Sequence, residues 1–196
     1  MPENNADAER WNRRYQNADA SERPSPCALL QTAEHLIPDS GRALDLACGL
    51  GGNSLLLAEK GMQVDACDIA HAALSRIDHW AMQRSLNINT VERDIERNGL
   101  PDGQWDVIVV SRYLHRPLMP AIAAALSPGG LLFYQTFSAY KQSDKGPASP
   151  EFLLQDNELL NLFAELKIRY YREECPLPRA SQHGANEVFL VAQKSS

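Results

Sequence analysis

The segment Asp45-Leu46-Ala47-Cys48-Gly49-Leu50-Gly51-Gly52-Asn53-Ser54 constrains this chain more than any other. It follows a short apolar run, Ala43 to Ala47, and opens a helical pattern from about Asn53 to Lys60. Glycines in a strand-to-helix turn let the backbone approach a ligand closely, because no Cβ stands in the way. On its own such a turn is a weak signal, and its meaning comes from what surrounds it. A second strand-like run, Gln63 to Asp68, ends on a carboxylate roughly 20 residues beyond the loop, the separation at which it reaches the hydroxyls of a nucleotide ribose.

The same alternation runs through the rest of the chain. Ala28 to Ile37 carries apolar residues at helical spacing and is stopped by Pro38-Asp39-Ser40-Gly41. A helix fits Ala70 to Ser85 and a short strand fits Thr90 to Arg93. Trp105 to Val110 is β-branched and apolar without alternation, as a strand buried on both faces should be. A helix then fits Leu118 to Leu126, Ser127-Pro128-Gly129-Gly130 makes a turn, and Leu131 to Phe137 is a further strand. The pattern closes with a helix over Asn157 to Leu166 and strands over Ile168 to Tyr171 and Glu187 to Ala192. No helix separates those last two, so the final strand is expected to run antiparallel. Strand-helix alternation of this kind predicts an α/β, Rossmann-like, doubly wound sheet that is mostly parallel, with helices on both faces.

A chain of 196 residues is one domain's worth, and the reading is a polar lead over residues 1–22 followed by a single domain over 23–196. Its formal net charge of −6, with Lys and Arg scattered, opposes a phosphate backbone, so nucleic acid is not the expected partner. A basic pocket could still attract a small anion where the site is partly desolvated. Cys27, Cys48, Cys67 and Cys175 form no C-x-x-C pair, which argues against a zinc site or a redox motif. The start, MPENNADAERWNRRYQ, has no signal-peptide core, and no apolar run approaches the ~20 residues of a membrane span. A reduced, cytoplasmic setting is therefore expected.

The dinucleotide fingerprint G-x-G-x-x-G/A, counted from Gly49, ends on Ser54, so nicotinamide binding is the alternative rather than the first reading. The segment resembles the first motif of the class I S-adenosylmethionine-dependent methyltransferases, D/E-x-G-x-G-x-G, with Asp45, Ala47, Gly49 and Gly51 at its fixed positions. Ala47 replaces a glycine, which suits a position of negative φ. The likeness continues through Asp68, Asp94, Trp105-Asp106-Val107-Ile108 and Leu126-Ser127-Pro128-Gly129-Gly130, and covers about Leu44 to Phe137.

This resemblance implies seven strands and S-adenosylmethionine as the cofactor, with S-adenosylhomocysteine as its product. It sets Asp45, Ala47, Gly49, Gly51 and Asn53 against the methionine part, Asp68 and Ile69 at the ribose, and Asp94 and Ile95 at the adenine. Ser111 and Tyr113 follow the fourth strand and complete the expected pocket. More locally the chain is similar to the small tellurite-resistance-type methyltransferases. The likeness lies in Trp11-Asn12-Arg13-Arg14-Tyr15, in Glu151-Phe152-Leu153-Leu154 and in Asn157-Glu158-Leu159-Leu160. Trp11 and Tyr15, one helical turn apart, either cover the cofactor as a lid or anchor an amphipathic helix.

Ser111-Arg112-Tyr113-Leu114-His115-Arg116-Pro117 lies where the carboxyl edge of a parallel sheet receives ligands, and is the expected rim for a small-molecule acceptor. Histidine titrates at about 6.5, so His115 could remove a proton from the acceptor. If the acceptor is already an anion, such as selenide, a thiolate or reduced tellurium, then Arg112, His115, Arg116, Arg179 and His183 would only need to place it. The two arginines beside His115 favour this anion-binding role. Gln135-Thr136 and Tyr140 are weaker candidates for the cleft. An O- or N-methyltransferase with a histidine base, an NAD-binding oxidoreductase and a non-catalytic cofactor-binding module remain the alternatives.

Overall fold

The computed structural model of the chain describes residues 6–19, 22–140, 144–174 and 186–196. Cys175, Arg179 and His183 lie outside the described residues. Seven strands form one sheet: β1 (Arg42–Leu46), β2 (Gln63–Asp68), β3 (Ile88–Glu92), β4 (Trp105–Ser111), β5 (Leu126–Phe137), β6 (Lys167–Arg172) and β7 (Glu187–Gln193). Their order is β3-β2-β1-β4-β5-β7-β6. The first five pair in parallel, and β7 runs antiparallel to both β5 and β6, as the missing crossover helix requires.

The helices are α1 (Ala6–Gln16), α2 (Ala28–Thr32), α3 (Gly52–Glu59), α4 (His71–Arg84), α5 (Ile95–Asn98), α6 (Met119–Ala125) and α7 (Glu158–Leu162). They cover both faces. In β4, Val107 and Val109 join a core built with Leu29 and Leu30 of α2 and Leu57 of α3, while Ile108 and Val110 join one built with Met119 and Ile122 of α6 and Leu159 of α7. All four are fully buried, so the unbroken apolar run of β4 reflects two packed faces rather than one. On the α3 side, α4 sets Leu74 and Ile77 against Ala66 of β2 and Cys48 of the loop.

The sequence reading differs from the fold at several elements, and the short α5 and the start of β3 at Ile88 are among them. The helical pattern of Ala28 to Ile37 divides into α2 and a 3-10 turn at Glu34–Leu36. The helix read over Asn157 to Leu166 is only Glu158–Leu162. The turn at Ser127 to Gly130 is absorbed into β5 as a bulge, where the pairing with β4 shifts between Trp105 and Val107. The polar lead contains α1, which exposes its charged face and buries none of its residues fully.

Trp105 opens β4 fully buried, and its indole N–H donates to Asp65 Oδ2 at 2.8 Å. Asn89 and Arg42 donate to the same carboxylate, each at 2.9 Å, which ties the first four strands together. Trp105→Phe should lower the unfolding free energy by about 2 kcal/mol, because it leaves a cavity and strips one donor from Asp65. Urea denaturation reads this directly, and an unchanged midpoint would show that the indole N–H contributes nothing.

Candidate active site

The strand order reverses at β1, which has β2 on one side and β4 on the other, so the crevice of a doubly wound sheet opens at the carboxyl ends of β1 and β4. The glycine loop leaves β1 at this point. Ala47, Gly49 and Gly51 all take left-handed backbone conformations, with φ of 53°, 53° and 82°. Such alternation coils the chain tightly and turns successive N–H groups inward. Two glycines are also required by contact: a Cβ on Gly51 would lie 2.5 Å from Ile77 of α4, and one on Gly52 would lie 2.2 Å from the Ser25 carbonyl oxygen.

Ala47 corrects the sequence reading. Its φ is positive, and the chain accepts there a methyl that the left-handed region disfavours. The reason lies on either side of it. Asp45 is fully buried one residue before the end of β1 and accepts hydrogen bonds from Ser54 N (2.9 Å), Ser54 Oγ (2.6 Å) and Asn53 Nδ2 (3.3 Å) at the start of α3. Burial pushes the Asp45 carboxyl up to about 7 against the pull of these donors. Asn53 Oδ1 in turn accepts from Cys27 N at 2.8 Å. Both ends of the loop are held, so residue 47 must take the turn whatever its side chain.

Asp68 closes the loop from the second strand. Its Oδ2 accepts from Gly49 N at 2.8 Å and its Oδ1 from Ala70 N at 2.9 Å, and burial raises its carboxyl above the usual carboxylate range. Ile69 follows, half-buried. Helix α1 lies across this face: Asn12 Oδ1 accepts from Ala72 N at 2.8 Å, and Arg76 of α4 donates to the carbonyls of Gln16, Ala18 and Asp19. Trp11 and Tyr15 stack with ring centroids 5.6 Å apart, and a Cβ on Gly49 would sit 3.0 Å from the Tyr15 hydroxyl. Burial, with Asp68 nearby, raises the Tyr15 phenol. The structure therefore brings Tyr15, Gly49 and Asp68 together around one cradle.

Beyond β3, Asp94 caps α5 by accepting from Arg97 N at 3.2 Å, and Ile95 is buried beneath it. Ser111 ends β4 half-buried, and Arg112 takes a left-handed φ of 56° while its N–H donates to the Gln135 carbonyl at 2.7 Å. The Arg112 side chain is 62% exposed and sends Nε to Glu187 Oε1 at 2.7 Å. Glu187, buried at the start of β7, also accepts from Gln135 Nε2, whose Oε1 takes the Leu29 N–H at 2.7 Å. The Tyr113 hydroxyl donates to Glu96 Oε1 at 3.1 Å, and His115 Nδ1 lies 3.6 Å from Glu96 Oε2.

Arg116 is placed apart from the open rim. It grips Glu158 of α7 with Nε at 2.5 Å and a terminal nitrogen at 2.9 Å, and it donates to the carbonyls of Glu151 and Leu153. Its work is to fasten α7 and the segment before it to β4. Thr136 is buried in β5, and Tyr140 is exposed beyond it. Sequence reasoning missed Glu96, Glu187 and Arg76. The only trace of Glu187 is a carboxylate leading an apolar strand, and Glu96 and Arg76 carry no such mark.

The reversal at β1, the antiparallel β7 and the glycine loop after β1 are the architecture of the class I S-adenosylmethionine-dependent methyltransferases. Residues 43–130 of the chain match the family described as methyltransferase domain. YqeM of Bacillus subtilis (strain 168) is 32% identical over 138 residues, which cover 64% of this chain and 54% of that protein. The chain spans about half the length of the curated relatives it matches. TehB from Haemophilus influenzae superposes with a TM-score of 0.69 at 21% identity, covering 85% of this chain and 61% of that one. A structure solved for the conversion of a disulfide bond into a thioacetal group during echinomycin biosynthesis gives 0.69 at 22%, covering 96% and 93%. At these identities the structural likeness is one of fold.

Ala47→Gly should raise stability by about 1 kcal/mol, since relief of the left-handed strain exceeds the entropy that glycine adds to the unfolded chain. The thermal midpoint would rise by ~2–4 °C. A lower midpoint would show that the Ala47 methyl makes packing contacts worth more than its strain.

Proposed function

We propose that this protein transfers the methyl group of S-adenosylmethionine to a small-molecule acceptor. The observation that carries the reading is the cradle at the switch point, where a loop of alternating left-handed residues meets Asp68 beneath Tyr15. The residues fit the cofactor. It has no phosphate and needs close backbone approach together with acceptors for its hydroxyl and amine donors, which Asp68, Asp94 and the loop carbonyls offer. When bound, it supplies a methyl group on a sulfonium. The chain's own residues hold it: the loop against the methionine part, Asp68 and Ile69 at the ribose, Asp94 and Ile95 at the adenine, with Ser111 and Tyr113 closing the pocket and Trp11 and Tyr15 over it.

The acceptor enters beside β4 and β5. There the two terminal nitrogens of Arg112 have no hydrogen-bond partner among the described residues and can orient a polar group, so rate enhancement comes from proximity and alignment. Thiols, chalcogen anions and phenols all satisfy this site. No helix of the described residues is long and apolar enough to cross a membrane.

Calorimetric titration should show S-adenosylhomocysteine binding and raising the melting temperature, with no response to NAD. Label should then pass from radiolabelled S-adenosylmethionine to one member of a panel of thiols, selenite with reductant, tellurite with reductant, and phenols. Tight NAD binding would make the protein an oxidoreductase, and cofactor binding with no transfer would make it a non-catalytic module.

Asp68 can be tested separately. Asp68→Ala should weaken S-adenosylhomocysteine binding by about 2 kcal/mol and also cost stability, because Gly49 N–H and Ala70 N–H lose their acceptor. Asp68→Asn keeps one acceptor oxygen and should recover most of the stability but little of the affinity. Normal affinity in a destabilised Asp68→Ala would show that the residue serves the loop alone.

A further inference from the structure

We propose that Glu96 is a positioning residue that makes His115 the proton acceptor of the transfer, so that the substrate arrives as a protonated thiol or phenol rather than as a preformed anion. The inference rests on the methyltransferase reading and narrows its acceptor. Among the described residues, Arg112 is already compensated by the Glu187 carboxylate at 2.7 Å.

The geometry around His115 instead suits a base. Glu96 stands on α5 with one carboxylate oxygen held by the Tyr113 hydroxyl at 3.1 Å, which leaves the other facing His115 Nδ1. The loop that carries the imidazole is fixed on both sides. The Tyr113 carbonyl accepts from Tyr134 Oη at 2.9 Å, Leu114 is buried in the core, and the His115 carbonyl accepts from Leu118 N at 3.0 Å. A carboxylate beside Nδ1 favours the tautomer with its proton there, and the lone pair then resides on Nε2. Nε2 has no hydrogen-bond partner among the described residues. The gap of 3.6 Å exceeds a formed hydrogen bond, and catalytic contacts of this kind commonly tighten when substrate binds.

In the step itself, the acceptor X–H gives its proton to His115 Nε2 while a lone pair on X forms the new bond to the methyl carbon. The carbon-sulfonium bond breaks with its electron pair going to sulfur. The products are methylated X, neutral S-adenosylhomocysteine and an imidazolium held beside Glu96, which returns its proton to solvent.

Two measurements test the proposal. The first needs no acceptor: long-range proton-nitrogen spectra of the 15N-labelled protein at alkaline pH, with His115→Gln to assign the signals. The wild type should show His115 protonated on Nδ1, Glu96→Gln should show it on Nε2, and Glu96→Asp should restore Nδ1. An Nε2-protonated wild type, or a tautomer indifferent to Glu96→Gln, overturns the proposal. The second follows transfer to 2-mercaptoethanol, phenol and selenide. Glu96→Gln should lower kcat for the thiol and phenol by about tenfold, and His115→Gln by ~10²-fold, with KM little changed and selenide nearly unaffected. A rise in KM for selenide with kcat intact in either variant would give His115 the anion-binding role and sink the base. Absence of transfer to every acceptor overturns the methyltransferase reading, while the tautomer result still stands for or against Glu96 on its own.

Discussion

Asp45, one residue before the end of β1, has no exposed surface, and a carboxylate in that position is tolerable only if the fold brings donors to it. It finds them in the backbone and hydroxyl of Ser54 and the amide of Asn53, eight and nine residues further on. Those contacts require the chain to reverse between Leu46 and Gly52, and the reversal demands the left-handed residues at 47, 49 and 51. Asn53 carries the constraint outward by accepting from Cys27 N, which fixes the start of α2 against the same loop. One buried carboxylate thus sets the course of the loop, the start of α3 and the seat of α2. Breaking it by removing one partner would leave an uncompensated polar group inside, a larger loss than any single surface contact on the molecule.

The β4–β5 side of the crevice follows a similar logic with different parts. Glu187 is buried at the start of β7, yet it faces two strands that run the other way, so its partners come from the carboxyl ends of β4 and β5. Arg112 and Gln135 meet it there, and Gln135 passes the contact on to the Leu29 N–H. The antiparallel last strand is therefore more than a way to finish the sheet. It returns a carboxylate to the edge where the parallel strands present their carboxyl ends.

What the sequence disclosed and what it hid divide along range. The unbroken apolar run of β4 and the glycines after β1 are local patterns with local causes, and the mostly parallel sheet follows from the alternation of strands and helices. The positive φ of Ala47 was invisible because alanine is common in turns of either hand, and only the tether from Asp45 to Ser54 shows which hand is imposed. Arg112 and Arg116 look alike in a string of letters, but one is mostly exposed and gives its Nε to Glu187, and the other is locked onto α7. Glu96, Glu187 and Arg76 act at separations of 17 to 75 residues or through main-chain carbonyls, and no periodicity marks such partners.

The same buried carboxylate also bears on which nucleotide the fold admits. In dinucleotide-binding relatives of this architecture, the N-terminus of the helix after β1 offers free N–H groups and a partial positive charge to a pyrophosphate. Here Ser54 N, in the first turn of α3, is already given to Asp45, and Leu55 N to the Gly51 carbonyl. A phosphate arriving at that helix would find a carboxylate in its place and too few donors left to offset the loss of its water. S-adenosylmethionine brings no phosphate and carries a positive sulfonium, so Asp45 and Asp68 near the loop oppose the first kind of ligand and tolerate the second. The departure from the dinucleotide fingerprint at Ser54 is thus more than the loss of a glycine, because the residue that replaces it completes the internal cap that displaces the phosphate.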